Sequence, residues 1–261
     1  MEILKLTVTS CIHLIRSDLN DLKPESLGSG VIVKYKERFF MCTVSHFSDC
    51  EGQNVGIVTG RIKDNQTEMY YLGEFSYLTE IDFKGIPDAQ NLEYNLENPD
   101  KIGTKLDVAF REIPLLDNIL QQKRVFELNH LGTMTVEEGG KTMLIVDDDY
   151  QIEKDEHCSF YGRIRPSMVN GMLDFQEQLY WGLTIKNIGE HFIEMDLGEP
   201  IKDHNRFRGC SGGPIIDTRG RLIGLITHGG ETTESSIFGF RFDKIKQWID
   251  LMYFQEPLSS M

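Results

Sequence analysis

Basic charge is what this chain has least of. Its 261 residues carry 27 Lys and Arg against 41 Asp and Glu, a formal net charge of −14. No basic stripe relieves that balance, so a polyanionic backbone meets repulsion and nucleic acid is excluded as a partner. Long apolar runs are also missing. No stretch reaches the roughly 20 residues that a membrane-spanning helix needs, and no membrane partner is expected. Met1 to Val8 lacks the basic segment and continuous apolar stretch of an export signal. Cysteine is sparse: five residues, at 11, 42, 50, 158 and 210, an odd number without the spacing of a secreted disulfide framework. Free thiols suit a reducing compartment, and the expectation is a cytoplasmic protein.

Metal-binding patterns are absent as well. The sequence has no His-Glu-x-x-His and no Cys-x-x-Cys, and Asp147-Asp148-Asp149-Tyr150 lacks the glycine and the distal glutamate of a calcium loop. A solvated turn explains that acidic run, and no cofactor is expected. No internal repeat or low-complexity tract stands out.

What the chain does have is a succession of short strand-like runs parted by Gly, Asn and Asp. Residues 3–15, 28–47, 54–62, 69–84 and 104–112 read as strands, with a polar connection over 18–29 and a long surface loop over 85–103. Residues 114–128 carry a mixed helical or linker pattern. Further strand-like runs follow at 141–147, 158–165, 179–187, 190–196, 215–217 and 222–228. From Phe242 to Phe254, the residues Ile245, Trp248, Ile249 and Met252 recur every three or four positions, which predicts an amphipathic helix.

The chemistry concentrates at residues 209–214, Gly-Cys-Ser-Gly-Gly-Pro. A serine hydroxyl needs a base to take its proton and donors to hold the oxyanion it creates. Flanking glycines let successive backbone N–H groups converge on one point. Gly209 and Ser211 are the candidate donors. An apolar run, Phe39 to Phe47, ends at His46, and Asp107 sits inside the apolar segment Leu106 to Phe110. Each signal alone has a plain structural explanation. Taken together, the order His46, Asp107, Ser211 is one of the known chain orders of a serine triad.

On these residues the chain resembles the chymotrypsin-like, or trypsin-fold, serine peptidases, particularly their bacterial and intracellular branch. The resemblance is carried by Gly28-Ser29-Gly30-Val31-Ile32-Val33, Thr43-Val44-Ser45-His46, Asp107-Val108-Ala109-Phe110 and the Gly209–Pro214 hexapeptide. Gly224-Leu225-Ile226-Thr227-His228-Gly229 and Phe238-Gly239-Phe240 complete it. It implies an all-β fold of two six-stranded antiparallel β-barrels with a C-terminal α-helix. Residues 1–120 would form the first barrel and 121–261 the second, with the site between them. By this resemblance His46 is the general base, Asp107 orients it, and Ser211 is the nucleophile of an endopeptidase acting on protein or peptide substrates.

The resemblance also marks a departure. The residue before the nucleophile is usually Asp or Asn, whereas here it is Cys210. The acid that would receive a freshly cut N-terminal amine is missing, so activation by N-terminal insertion is not expected. A small buried side chain is the reading of Cys210. Specificity residues fall at Asn205, Thr227, His228 and Gly229. A histidine there favours acidic or amide side chains, as in glutamyl endopeptidases, though His228 equally reads as an exposed strand residue. The alternative reading is a catalytically silent or partner-activated relative that binds peptides, or a partner protein, through the same cleft.

Overall fold

The computed structural model describes residues 1–19, 23–63, 66–81, 103–146, 149–169, 172–201, 207–229 and 235–254, with the backbone alone at 66, 81, 166–169, 172, 173, 228 and 229. Period-two burial builds its first half. Strands β1 (Cys11–Asp18), β2 (Pro24–Tyr35) and β3 (Arg38–Thr43) are followed by the one-turn helix Ser45–Ser48. Strands β4 (Gln53–Lys63), β5 (Gln66–Leu72), β6 (Ser76–Ile81) and β7 (Gly103–Ile113) come next. They pair antiparallel in the order β5-β4-β1-β2-β3-β7-β6. In β7, Leu106, Val108 and Phe110 enter one apolar cluster while Ala109, on the opposite face, enters another. That alternation puts Asp107 on the Ala109 face.

Short strands β8 (Leu120–Gln121), β9 (Arg124–Leu128), β10 (Gly132–Val136), β11 (Gly139–Gly140) and β12 (Leu144–Ile145) occupy the middle of the chain. β9 pairs with β10 and β8 with β11, while β12 returns to lie parallel to β2. The second half is a closed six-stranded barrel. It contains β13 (His157–Val169), β14 (Met172–Ile188), β15 (Phe192–Asp196), β16 (Pro214–Asp217), β17 (Leu222–Gly229) and β18 (Ser236–Arg241), closed in the order β13-β14-β15-β18-β17-β16. Its interior holds Phe160, Ile185, Met195, Ile215 and Ile237, all fully covered.

Several segments depart from the reading of the sequence, among them 24–29, read as part of a polar connection but found in β2. Residues 2–10 form a helix, α1 (Glu2–Ser10), where a strand was expected. Its β-branched Ile3, Thr7, Val8 and Thr9 suit a strand. Tertiary burial decides otherwise: Leu4, Thr7 and Val8 turn to one side, and the Thr7 and Ser159 hydroxyls meet at 2.8 Å. Residues 120–128, read as helix or linker, form β8 and β9 instead.

The terminal helix, α2 (Ser45–Ser48) being the second, is α3 (Phe242–Tyr253), and it buries Phe242, Ile245 and Ile249 as the spacing predicts; Met252 stays exposed. α3 does not pack on its own barrel alone. One apolar cluster joins Phe242, Ile245 and Ile249 to Val33, Phe40 and Phe110 of the first sheet and to Leu225 and Phe240 of the second. Tyr253 meets Phe40 edge-on at 5.1 Å, and the Arg38 guanidinium lies 5.1 Å from the rings of Tyr253 and Phe254. Among the described residues no helix is long and apolar enough to cross a membrane.

Candidate active site

His46 stands where β3 runs out. The strand RFFMCT is buried over its last four residues, and the turn of α2 that follows drives Phe47 into the core while leaving His46 half exposed. β3 pairs with β7 so that Thr43 faces Ala109, which brings Asp107 alongside the start of α2. Nδ1 of His46 lies 2.9 Å from each carboxylate oxygen of Asp107. The same carboxylate accepts the His46 backbone N–H at 3.1 Å and the Ser45 hydroxyl at 3.2 Å. Burial pushes the Asp107 carboxyl up, but the His46 ring, its backbone N–H and the Ser45 hydroxyl outweigh that and hold it below its ordinary 3.8. The carboxylate is thus ionised and aimed at Nδ1, which leaves Nε2 as the ring's other face for chemistry.

Ser211 lies on a tight turn entering β16. Gly209 has φ +95° and Gly212 φ +85°, a left-handed geometry that strains any other residue. Space forbids side chains there too. A Cβ at Gly209 would fall 2.3 Å from the Arg163 carbonyl oxygen, and one at Gly212 2.1 Å from that of Ser29 and 2.4 Å from the Thr43 hydroxyl. The turn is therefore pressed against β3 just three residues before His46. Around it, Cys210 N–H donates to Phe207 O at 2.9 Å, Gly212 N–H to Ile226 O at 2.7 Å and Gly213 N–H to Cys210 O at 2.8 Å. The N–H groups of Gly209 and Ser211 are absent from the hydrogen bonds of the described residues, so both remain available to an incoming acceptor.

The Ser211 hydroxyl donates to Thr227 O at 3.4 Å, and no hydrogen bond joins it to His46 among the described residues. Thr227 itself is buried. Its own hydroxyl goes to Phe238 O at 3.1 Å, so its carbonyl, not its side chain, meets the site. The backbone of His228 and Gly229 continues β17 away from this point, and Asn205 lies outside the described residues. Cys210 is fully buried, and a Cβ at Gly162 would lie 2.6 Å from its sulfur. Burial pushes its thiol far up, so it stays protonated and is no competing nucleophile.

Among the described residues, one group of possible metal ligands lies elsewhere. Glu80, Glu190 and His191 bring donor atoms within 4.8 Å of one another, with Glu80 already 3.1 Å from Nε2 of His191. The first and last stand 111 positions apart, so no sequence spacing could have flagged them. They border a cavity of about 520 Å³ beside α3, also lined by Lys36, Lys244 and Trp248, and are exposed or only partly buried.

No protein-family model matches this sequence. No curated protein matches it either. Solved structures do. A serine endoprotease from Yersinia pestis superposes with a TM-score of 0.51 at 14% identity, covering 96% of this chain and 65% of its own, so the present chain spans under two thirds of that protein. The Rv3671c protease in its inactive form gives 0.50 at 12% identity, with 97% and 93% covered. Human heparin binding protein gives 0.53 at 13%, with 98% and 96% covered. With a closed six-stranded barrel, a C-terminal helix and neighbours of this kind along almost its whole length, the chain has the trypsin-like serine protease fold.

Proposed function

We propose that this protein is a serine endopeptidase in which His46, Asp107 and Ser211 form the triad and the N–H groups of Gly209 and Ser211 the oxyanion hole. The observation that carries the reading is the ionised Asp107 carboxylate, 2.9 Å from Nδ1 of His46, on β7, the strand paired with the β3 against which the Ser211 turn is pressed. In the reaction, Nε2 takes the Ser211 proton as Oγ attacks the substrate carbonyl. The Gly209 and Ser211 N–H groups receive the negative charge that develops on the carbonyl oxygen. The imidazolium, stabilised by Asp107, then gives the proton to the leaving amine. Water, deprotonated by the same ring, hydrolyses the acyl-enzyme and restores the hydroxyl. No cofactor enters these steps.

Asn205, His228 and Gly229 remain the proposed specificity residues, with Thr227 contributing through its backbone carbonyl. Five free cysteines, four of them buried, support a reducing compartment.

A second reading has an observation of its own. Because the Ser211 hydroxyl rests on Thr227 O, it must leave that acceptor before it can bond His46. A serine hydroxyl moves between staggered wells readily, and a bound substrate or partner protein could select the released state. The test is a fluorophosphonate probe with and without Ser211→Ala. Labelling of the wild type that is lost in the variant, with cleavage of an unfolded protein falling by about 10⁴-fold or more, supports the peptidase. Cleavage that is equal in the two chains removes Ser211 from the mechanism. A wild type that never labels favours the silent binding protein.

A further inference from the structure

We propose that Ser29 is a positioning residue of this site, one that reaches from the first sheet to set the orientation of the oxyanion-binding turn; the inference rests on the peptidase reading above. Ser29 is fully buried on β2, in the segment Gly28-Ser29-Gly30. Its three polar groups are all engaged, and all by parts of the site. The hydroxyl donates to Gly209 O at 2.6 Å. The backbone N–H donates to Ser211 O at 2.9 Å. The carbonyl accepts the Thr43 hydroxyl at 2.7 Å.

The two carbonyls that Ser29 holds belong to the peptide planes on either side of the Ser211 amide. The opposite ends of those planes are fixed as well, by Cys210 N–H on Phe207 O and by Gly212 N–H on Ile226 O. A peptide plane held at both its C=O and its N–H cannot rotate, so the direction of the Ser211 N–H between them is set before a substrate arrives. Such pre-orientation is what makes an oxyanion donor effective. The 209–210 plane depends on the Ser29 hydroxyl in particular. Without it a buried carbonyl loses its partner and the plane is free to turn, carrying Gly209 with it.

Its neighbours hold Ser29 in place. A Cβ at Gly28 would strike the Phe47 ring at 2.7 Å, and one at Gly30 would lie 2.7 Å from Cys42 O. The segment therefore lies flush against both β3 and the residue following His46. Thr43, three residues before His46, completes the connection. Ser29 thus couples the base and the nucleophile turn by geometry, without touching the reacting atoms.

Ser29→Ala removes the hydroxyl, and Ser29→Cys keeps nearly the same shape with a much weaker donor. Fluorophosphonate inactivation, followed as a function of probe concentration, separates the maximal rate of serine modification from probe affinity. The expected result is a maximal rate lowered about 10- to 100-fold in Ser29→Ala, somewhat less than deletion of a whole oxyanion donor. Probe affinity should change less than about threefold, and Ser29→Cys should behave similarly if the alanine variant folds poorly. An unchanged maximal rate in a folded variant overturns the proposal. So does a loss that merely follows the unfolded fraction, each folded molecule reacting at the wild-type rate. A wild type inert to the probe overturns the peptidase reading itself, and that outcome needs no Ser29 variant to detect.

Discussion

His46, in the turn that follows β3, and Asp107, on the paired strand β7, are held together by the register of one sheet, and their hydrogen bonds are complete before any substrate binds. Ser211, by contrast, belongs to the barrel of the other half and spends its hydroxyl on Thr227 O. The proposed base is placed by strand pairing and the proposed nucleophile by a turn. Strand pairing leaves little freedom, whereas a turn serine keeps its rotamers. What regulates such a site would therefore act on Ser211 rather than on the His46–Asp107 pair.

Three changes probe that contrast. The largest effect is expected from Asp107→Asn, which preserves shape but presents a donor to Nδ1 and favours the wrong tautomer. Turnover should fall about 10⁴-fold, as it does for the equivalent change in a well-studied triad. A loss under tenfold would mean that the pair is not a working base.

Next comes Gly212→Ala, which attacks the other side. Its φ of +85° and a Cβ 2.1 Å from Ser29 O should cost about 3 kcal/mol, from left-handed strain and overpacking. In a chain of this size that corresponds to a thermal midpoint lowered by about 6–12 °C. A midpoint within 2 °C of wild type, about a sixth to a third of that effect, would show the turn to be softer than its packing implies.

The smallest effect is in the pH dependence of stability. A carboxyl held below its unfolded value contributes stability that is fully present above about pH 3.8 and is lost as pH falls through the lower folded value. Between pH 5 and pH 3 the thermal midpoint of the wild type should fall more steeply than that of Asp107→Asn. Parallel curves would indicate that the pair adds nothing to folding.

The proposed reacting residues stand out in the sequence because each sits in a distinctive local pattern: a serine between glycines, a histidine ending an apolar run, a carboxylate interrupting one. Their separation by over 160 positions did not matter, since chain order alone matched a triad. Residues 2–10 were misread because β-branched side chains favour a strand locally, and only contact with β13 and its neighbours turns them into a helix. Ser29 was visible only as part of a strand-opening motif. Its link to Gly209 spans 180 positions, and nothing in either segment announces the other. Asn205, proposed as a specificity residue, falls outside the described residues, so that proposal rests on sequence alone.

The terminal helix has a consequence for the order in which the molecule can be completed. α3 follows all of these strands in chain order, and its Phe242, Ile245 and Ile249 cover apolar residues of strands made well over a hundred positions earlier. Contacts of such sequence separation form late and slow folding. During synthesis Phe40 and Phe110 must therefore wait uncovered, exposed to aggregation, and the sheet that carries His46 and Asp107 gains its finished core only after the barrel carrying Ser211 has been made. A growing chain would thus leave the core behind His46 and Asp107 uncovered until α3 has been made.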